Sequence, residues 1–119
     1  MATITPTVSD VAKFRDNATL ASYEFSGSGD TGVAMEQPGS AIRSVQIAGT
    51  FDSATVVVEG SNDGTNYVTL TDPQGNAISK TAAAIEAIEE VTRYVRPRSS
   101  GGGANTALTI SFMLVRRGS

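Results

Sequence analysis

Two stretches rich in β-branched residues, 54–59 and 67–71, flank the segment Gly60-Ser61-Asn62-Asp63-Gly64-Thr65-Asn66. Asp-Gly between such stretches is a strong hairpin signal, because both residues tolerate the positive φ of a tight turn. This one segment predicts an antiparallel pair and commits the chain to β structure. It carries no catalytic signature.

The rest of the chain repeats the pattern. Ala21, Tyr23 and Phe25 alternate with Ser22 and Glu24, and Val45 and Ile47 with Ser44, Gln46 and Ala48; Ala54, Val56 and Val58 share a face, although Val57 breaks strict alternation there. The clearest case is the last, with Leu108, Ile110, Phe112 and Leu114 on one face of a strand ended by Arg116 and Arg117. Period-two alternation of this kind describes strands with one buried face. Strands are predicted over 19–25, 33–36, 41–51, 54–60, 67–71, 77–80 and 91–98, followed by the final one. Residues 41–51 and 54–60 read as one ribbon, and 99–105 as a flexible hairpin connection. Pro97 suggests an edge strand or a strand end. Residues 81–90 mix Ala-rich helix propensity with alternation, and are expected to form a short helical turn or an irregular crossover. Seven or eight short strands with regular turn signals predict an all-β, two-sheet antiparallel β-sandwich, jelly-roll or immunoglobulin-like. A chain of 119 residues is one domain of that kind, able to bury roughly two-thirds of its unfolded surface.

Residues 1–17 stand apart from this domain, which is expected to occupy 18–119. Pro6 argues against helix there, and Ser9 could cap a single helical turn over 10–14. The segment is expected to be an extended N-terminal arm, frayed or packed on a neighbouring subunit. Ile4, Val8, Val11 and Phe14 make it more apolar than a free tail requires, and are the candidate contact residues of the arm.

The chain has no Cys and no His. Disulfides, thiolate nucleophiles, Ser-His-Asp and Cys-His mechanisms and most zinc sites are thereby excluded. Glu86, Glu89 and Glu90 are close in sequence, but such a run is ordinarily a solvated face rather than a general acid/base pair. Asp63 is the single carboxylate of its loop, where a calcium loop wants several at alternate positions. No catalytic, metal or cofactor-binding residue is expected. The net charge of −3 speaks against nucleic acid as a partner, and no apolar run approaches the ~20 residues of a membrane helix. No secretory signal is read at the N-terminus, so Asn17-Ala18-Thr19 is taken as a chance match to a glycosylation acceptor. Arg93, Arg96 and Arg98, with Arg116 and Arg117, lie on the two last strands. If those strands pair, the guanidinium groups form a positive patch for an anion or an acidic protein. Otherwise they pair with Glu86, Glu89 and Glu90 or face solvent.

Several phrases occur together and in order: Gly29-Asp30-Thr31-Gly32, Ser44-Val45-Gln46-Ile47-Ala48-Gly49-Thr50-Phe51, Val58-Glu59-Gly60-Ser61-Asn62-Asp63-Gly64-Thr65-Asn66-Tyr67, Leu70-Thr71-Asp72-Pro73-Gln74-Gly75-Asn76, Arg93-Tyr94-Val95-Arg96-Pro97 and Leu114-Val115-Arg116-Arg117. Over about 29–117 the chain resembles small tailed-bacteriophage proteins encoded beside the major capsid protein, the head decoration or cement proteins. The resemblance implies a β-sandwich, commonly a homotrimer, made in the host cytoplasm and seated on the capsid exterior of the virion. Its partners would be itself and the major capsid protein, with no cofactor and no enzymatic activity. Many members carry Trp where this chain has Tyr67. The Ser-Asn-Asp-Gly-Thr-Asn phrase with Arg-Tyr-Val-Arg is also similar to discoidin-like carbohydrate-binding sandwiches. A sugar-binding module would need tyrosine platforms from Tyr23, Tyr67 or Tyr94. A tail or head-joining component is the third reading, expected in six-fold or twelve-fold rings.

Overall fold

The computed structural model describes residues 2–10, 18–36 and 42–116. Its strands are β1 (Ala2–Ile4), β2 (Thr7–Asp10), β3 (Ala18–Ser26), β4 (Asp30–Gly32), β5 (Met35–Glu36), β6 (Ile42–Thr50), β7 (Ala54–Ser61), β8 (Val68–Thr69), β9 (Ser79–Lys80), β10 (Ala84–Ala87), β11 (Tyr94–Gly101) and β12 (Ala107–Val115). They build two sheets. A seven-stranded sheet has the order β1-β4-β11-β7-β8, with β5 also on β11 and β9 also on β7. A five-stranded sheet has the order β10-β6-β12-β3-β2. Among the described residues all strand pairings are antiparallel except β1 with β4. The protein is a β-sandwich.

Alternation sets what lies between the sheets. Ala21, Tyr23 and Phe25 from β3, Val45 and Ile47 from β6, and Leu108, Ile110, Phe112 and Leu114 from β12 face Ala54, Val56, Val58 and Val95 of the opposite sheet. Tyr23 packs edge-on against Phe25 and Phe112, with ring centroids 6.2 and 5.9 Å apart. Its hydroxyl donates to the Val33 carbonyl at 2.6 Å, so the one polar atom of this wholly buried ring is satisfied. Asp30 is also buried: its carboxylate accepts from the amides of Ala2 and Ser26, while its own amide donates to Ser99 Oγ. At the other end Arg43, 2% exposed, donates to the carbonyl of Thr92.

Several connections differ from the sequence expectation. The predicted ribbon of 41–51 with 54–60 is instead a crossing between sheets: β6 belongs to the five-stranded sheet and β7 to the seven-stranded one. The corner is made by Asp52 and Ser53, both with positive φ (47° and 69°), and closed by the Ala54 amide on the Phe51 carbonyl. Residues 102–106 make the same kind of crossing from β11 to β12 rather than a hairpin. The expected helical turn within 81–90 is β10, because Ala84–Ala87 pairs with β6 and satisfies its backbone there. Pro97 lies within a central strand. It falls where the partner on one side of β11 changes from β5 to β4, a gap in the ladder that needs no amide there.

The N-terminal segment is not detached over residues 2–10. β1 continues the seven-stranded sheet and β2 borders the five-stranded one, so the segment spans both sheets of its own chain. Ser9 and Asp10 are part of β2, and residues 11–14 of the helical turn expected after Ser9 lie outside the described residues.

Candidate interaction surfaces

The outward face of the five-stranded sheet follows from the same alternation that fills the core. The register places Ile85, Gln46, Ser111, Ser22 and Thr7 side by side across all five strands. The next row is Ala87, Ser44, Met113, Leu20 and Ser9. Flanking rows are Ala48, Thr109 and Glu24 on one side and Ile42, Val115 and Ala18 on the other. Among these residues Glu24 alone is charged, and its carboxylate accepts from Thr109 Oγ1 at 3.0 Å. Three of the large apolar side chains left exposed in this protein, Ile42, Ile85 and Met113, lie here. In the middle of the face a shallow recess of about 180 Å³ is enclosed by Leu20, Ser44, Gln46, Ile85, Ser111 and Met113.

The seven-stranded sheet turns a different face outward. Glu59, 7% exposed, accepts from Arg96 Nε at 3.0 Å through one oxygen and from Arg98 Nε at 2.9 Å through the other. The Arg96 guanidinium also covers the Tyr67 ring, 3.7 Å from its centre. Arg93 pairs with Glu36 at 2.6 Å, a contact between two exposed side chains that raises the Arg93 pKa further.

The Gly60–Asn66 turn caps this sheet as predicted, joining β7 to β8 in antiparallel register. Asp63 organises it: Oδ1 accepts from Ser61 Oγ and the amides of Thr65 and Asn66, and Oδ2 from Asn66 Nδ2. Those donors, the Asn66 and Thr65 amides first, hold the Asp63 carboxyl well below the usual carboxylate range. The loop's polar groups serve the loop itself. Asn62 Oδ1 ties it to β11 by accepting the Arg93 amide at 3.0 Å. Among the described residues no group of three or more Asp and Glu side chains is placed to hold a metal ion.

The residues singled out from the sequence are thus divided. Ile4 is half-buried and packs against the core, and Val8 is exposed on the β2 edge. Val11 and Phe14 lie outside the described residues. Arg93, Arg96 and Arg98 share the outer side of the seven-stranded sheet, but Arg116 follows β12 in the other sheet, so the two last strands do not pair into one arginine patch. The arginines pair with Glu59 and Glu36, while Glu86 pairs with Lys80 at 2.7 Å, a contact that joins β9 of one sheet to β10 of the other. None of the tyrosines is an open platform: Tyr23 is buried, Tyr67 lies under Arg96, and half-buried Tyr94 carries Arg93 at 5.2 Å. The charge-poor face was not anticipated as a site. Its signal was present in Thr109, Ser111 and Met113, whose meaning depended on which strands lie beside β12.

No protein-family model matches the chain, and no curated protein does. Among solved structures, the fold is similar to that of the SPBc2 prophage-derived protein YomS, with a TM-score of 0.56 at 11% identity over 81% of this chain and 94% of that one. A second match is PliG of Aeromonas hydrophila, a periplasmic inhibitor of g-type lysozyme, with a TM-score of 0.46 at 13% identity over 96% of this chain and 95% of that one.

Proposed function

We propose that this chain is a non-enzymatic structural protein of a tailed-phage particle, a decoration protein that seats on the outside of the head and braces contacts between capsid subunits. The observation that carries the reading is the charge-poor outer face of the five-stranded sheet, whose two central rows hold no ionisable side chain. A charge-poor face bearing exposed Ile and Met side chains is what one protein presents to another, since such a surface is costly to leave in water. At roughly 25 cal/mol per Å² of apolar burial, a modest contact repeated over a whole shell gives large collective resistance to internal pressure. The sequence resemblance to head decoration proteins points the same way, and a prophage-derived protein shares the fold. The partners on this reading are the major capsid protein and further copies of the chain, for which the resemblance implies a trimer. The place of action is the virion exterior after synthesis in the host cytoplasm.

The test is binding to particles. Purified chain should cosediment with assembled heads and not with dissociated capsid subunits, and imaging of saturated heads should show added density outside the shell. Density confined to the head–tail junction, or absence of binding to heads, would refute the reading.

A further inference from the structure

We infer that two copies of this chain pair through the outer faces of their five-stranded sheets, about a two-fold axis through the central recess. The inference rests on the reading that the chain works by surface contact. Of the two partners named there it gives this face to a second copy, so that the shell meets the remaining surface of the pair, and it sets a stoichiometry of two where the sequence resemblance implies three.

Charge selects the occupant. A partner carrying charged groups onto this face would strip them of water with nothing to pair them, because the two central rows hold no ionisable side chain. A second copy of the same face brings none to the centre. Glu24, the single carboxylate, lies in a flanking row, at the rim of such a contact where water still reaches it.

Shape and area agree. The recess sits between the two central rows, with Met113 on its wall and 36% exposed. A two-fold axis there lets Met113 of each copy enter the recess of the other, the reciprocal contact that an isologous interface requires. From strand spacing and rise, the five strands present on the order of 600 Å² per copy, which puts a pair at the lower end of stable specific interfaces. A trimer would need two different complementary patches, and the other broad face, with Arg96, Arg98 and Glu59, offers a neutral face no match in charge. Two twisted sheets stacked in this way also reproduce the aligned packing found inside sandwiches.

The experiment is sedimentation velocity and native mass measurement of the full chain across a range of concentrations. The expected particle has twice the 12.3 kDa chain mass. Ser111→Arg and, separately, Gln46→Lys should each weaken pairing by about 100-fold or more, since each buries an unpaired charge at the centre. Ser100→Arg, on the other sheet, should leave pairing unchanged, and circular dichroism of all three should match the parent. A monomer at every concentration, a trimer mass, or a dimer indifferent to both central charges would overturn the inference. Head binding is scored in parallel. A dimer that ignores heads supports the pairing and refutes the decoration role, whereas a monomer that coats heads does the reverse.

Discussion

Glu59 and Arg96 stand directly opposite each other on β7 and β11, joined by Arg96 Nε donating to Glu59 Oε1 at 3.0 Å. Two residues along β11, Arg98 takes the second carboxylate oxygen at 2.9 Å. One nearly buried carboxylate therefore holds two guanidinium groups that keep 27% and 36% of their side-chain surface exposed. Glu59→Ala would leave two like charges adjacent with no counter-charge between them. Because both guanidinium groups remain partly hydrated, the expected loss is about 1–2 kcal/mol rather than the larger cost of stranding a fully buried charge. Urea denaturation of the variant measures it. Combining Glu59→Ala with Arg96→Ala should cost less than the sum of the two single losses, because both break the same contact.

Gly49 and Gly75 make a controlled contrast. Both have positive φ, 117° and 88°. A Cβ on Gly49 would lie 2.2 Å from the Ala107 carbonyl oxygen, a backbone atom of the paired strand β12, whereas a Cβ on Gly75 meets nothing within 4 Å. Gly75→Ala should cost only the backbone strain, about 1 kcal/mol. Gly49→Ala adds displacement of the β6–β12 ladder and is expected to cost about 3 kcal/mol or more. Thermal melts of the two variants side by side test the difference.

The sequence made the longer strands legible but not their partners. Period-two alternation identifies the inward residues of β3, β6, β7 and β12 because a half-buried strand must show its face locally. Nothing local distinguishes a hairpin from a crossing between sheets. The corner at Asp52 and Ser53 looks like a turn in either case, and the residues after Gly101 do likewise. That ambiguity separated Arg116 from Arg93, Arg96 and Arg98. It also concealed the charge-poor face, which exists only once β10, β6, β12 and β3 lie side by side. β10 was obscured for another reason, since its Ala-rich composition favours helix and pairing with β6 overrides that preference.

Tyr23 should make the protein sensitive to strong alkali. Burial pushes its phenol above the ordinary value of 10.0, and its hydroxyl is committed to the Val33 carbonyl. The folded state thus retains a proton that the unfolded chain gives up. Stability from this group is complete below the unfolded pKa and is lost as pH rises from there toward the folded value. Unfolding followed against pH above neutrality should show stability falling once pH passes about 10. Tyr23→Phe should remove the part of that fall due to this residue. At neutral pH the same variant should be less stable by about 1 kcal/mol, because the Val33 carbonyl loses its donor. Equal alkaline sensitivity in variant and parent would show that the phenol is not the group responsible.

Asp63 acts in the opposite direction and on a smaller unit. Its carboxyl is held below the unperturbed value of 3.8 by the amides of Asn66 and Thr65, with Asn66 Nδ2 and Ser61 Oγ adding to them. A depressed folded pKa means the contribution is present above the unfolded value and disappears only as pH falls through the folded one. The loop should keep its order under acid conditions in which ordinary carboxylates are already protonated. Amide exchange at Thr65 and Asn66 reports this directly. Both amides should remain protected as pH is lowered past about 4. Asp63→Ala should expose them at every pH while leaving exchange in β12 unchanged, since the turn is an exposed local unit. Loss of protection in β12 as well would mean that the turn which registers β7 with β8 also secures the opposite sheet.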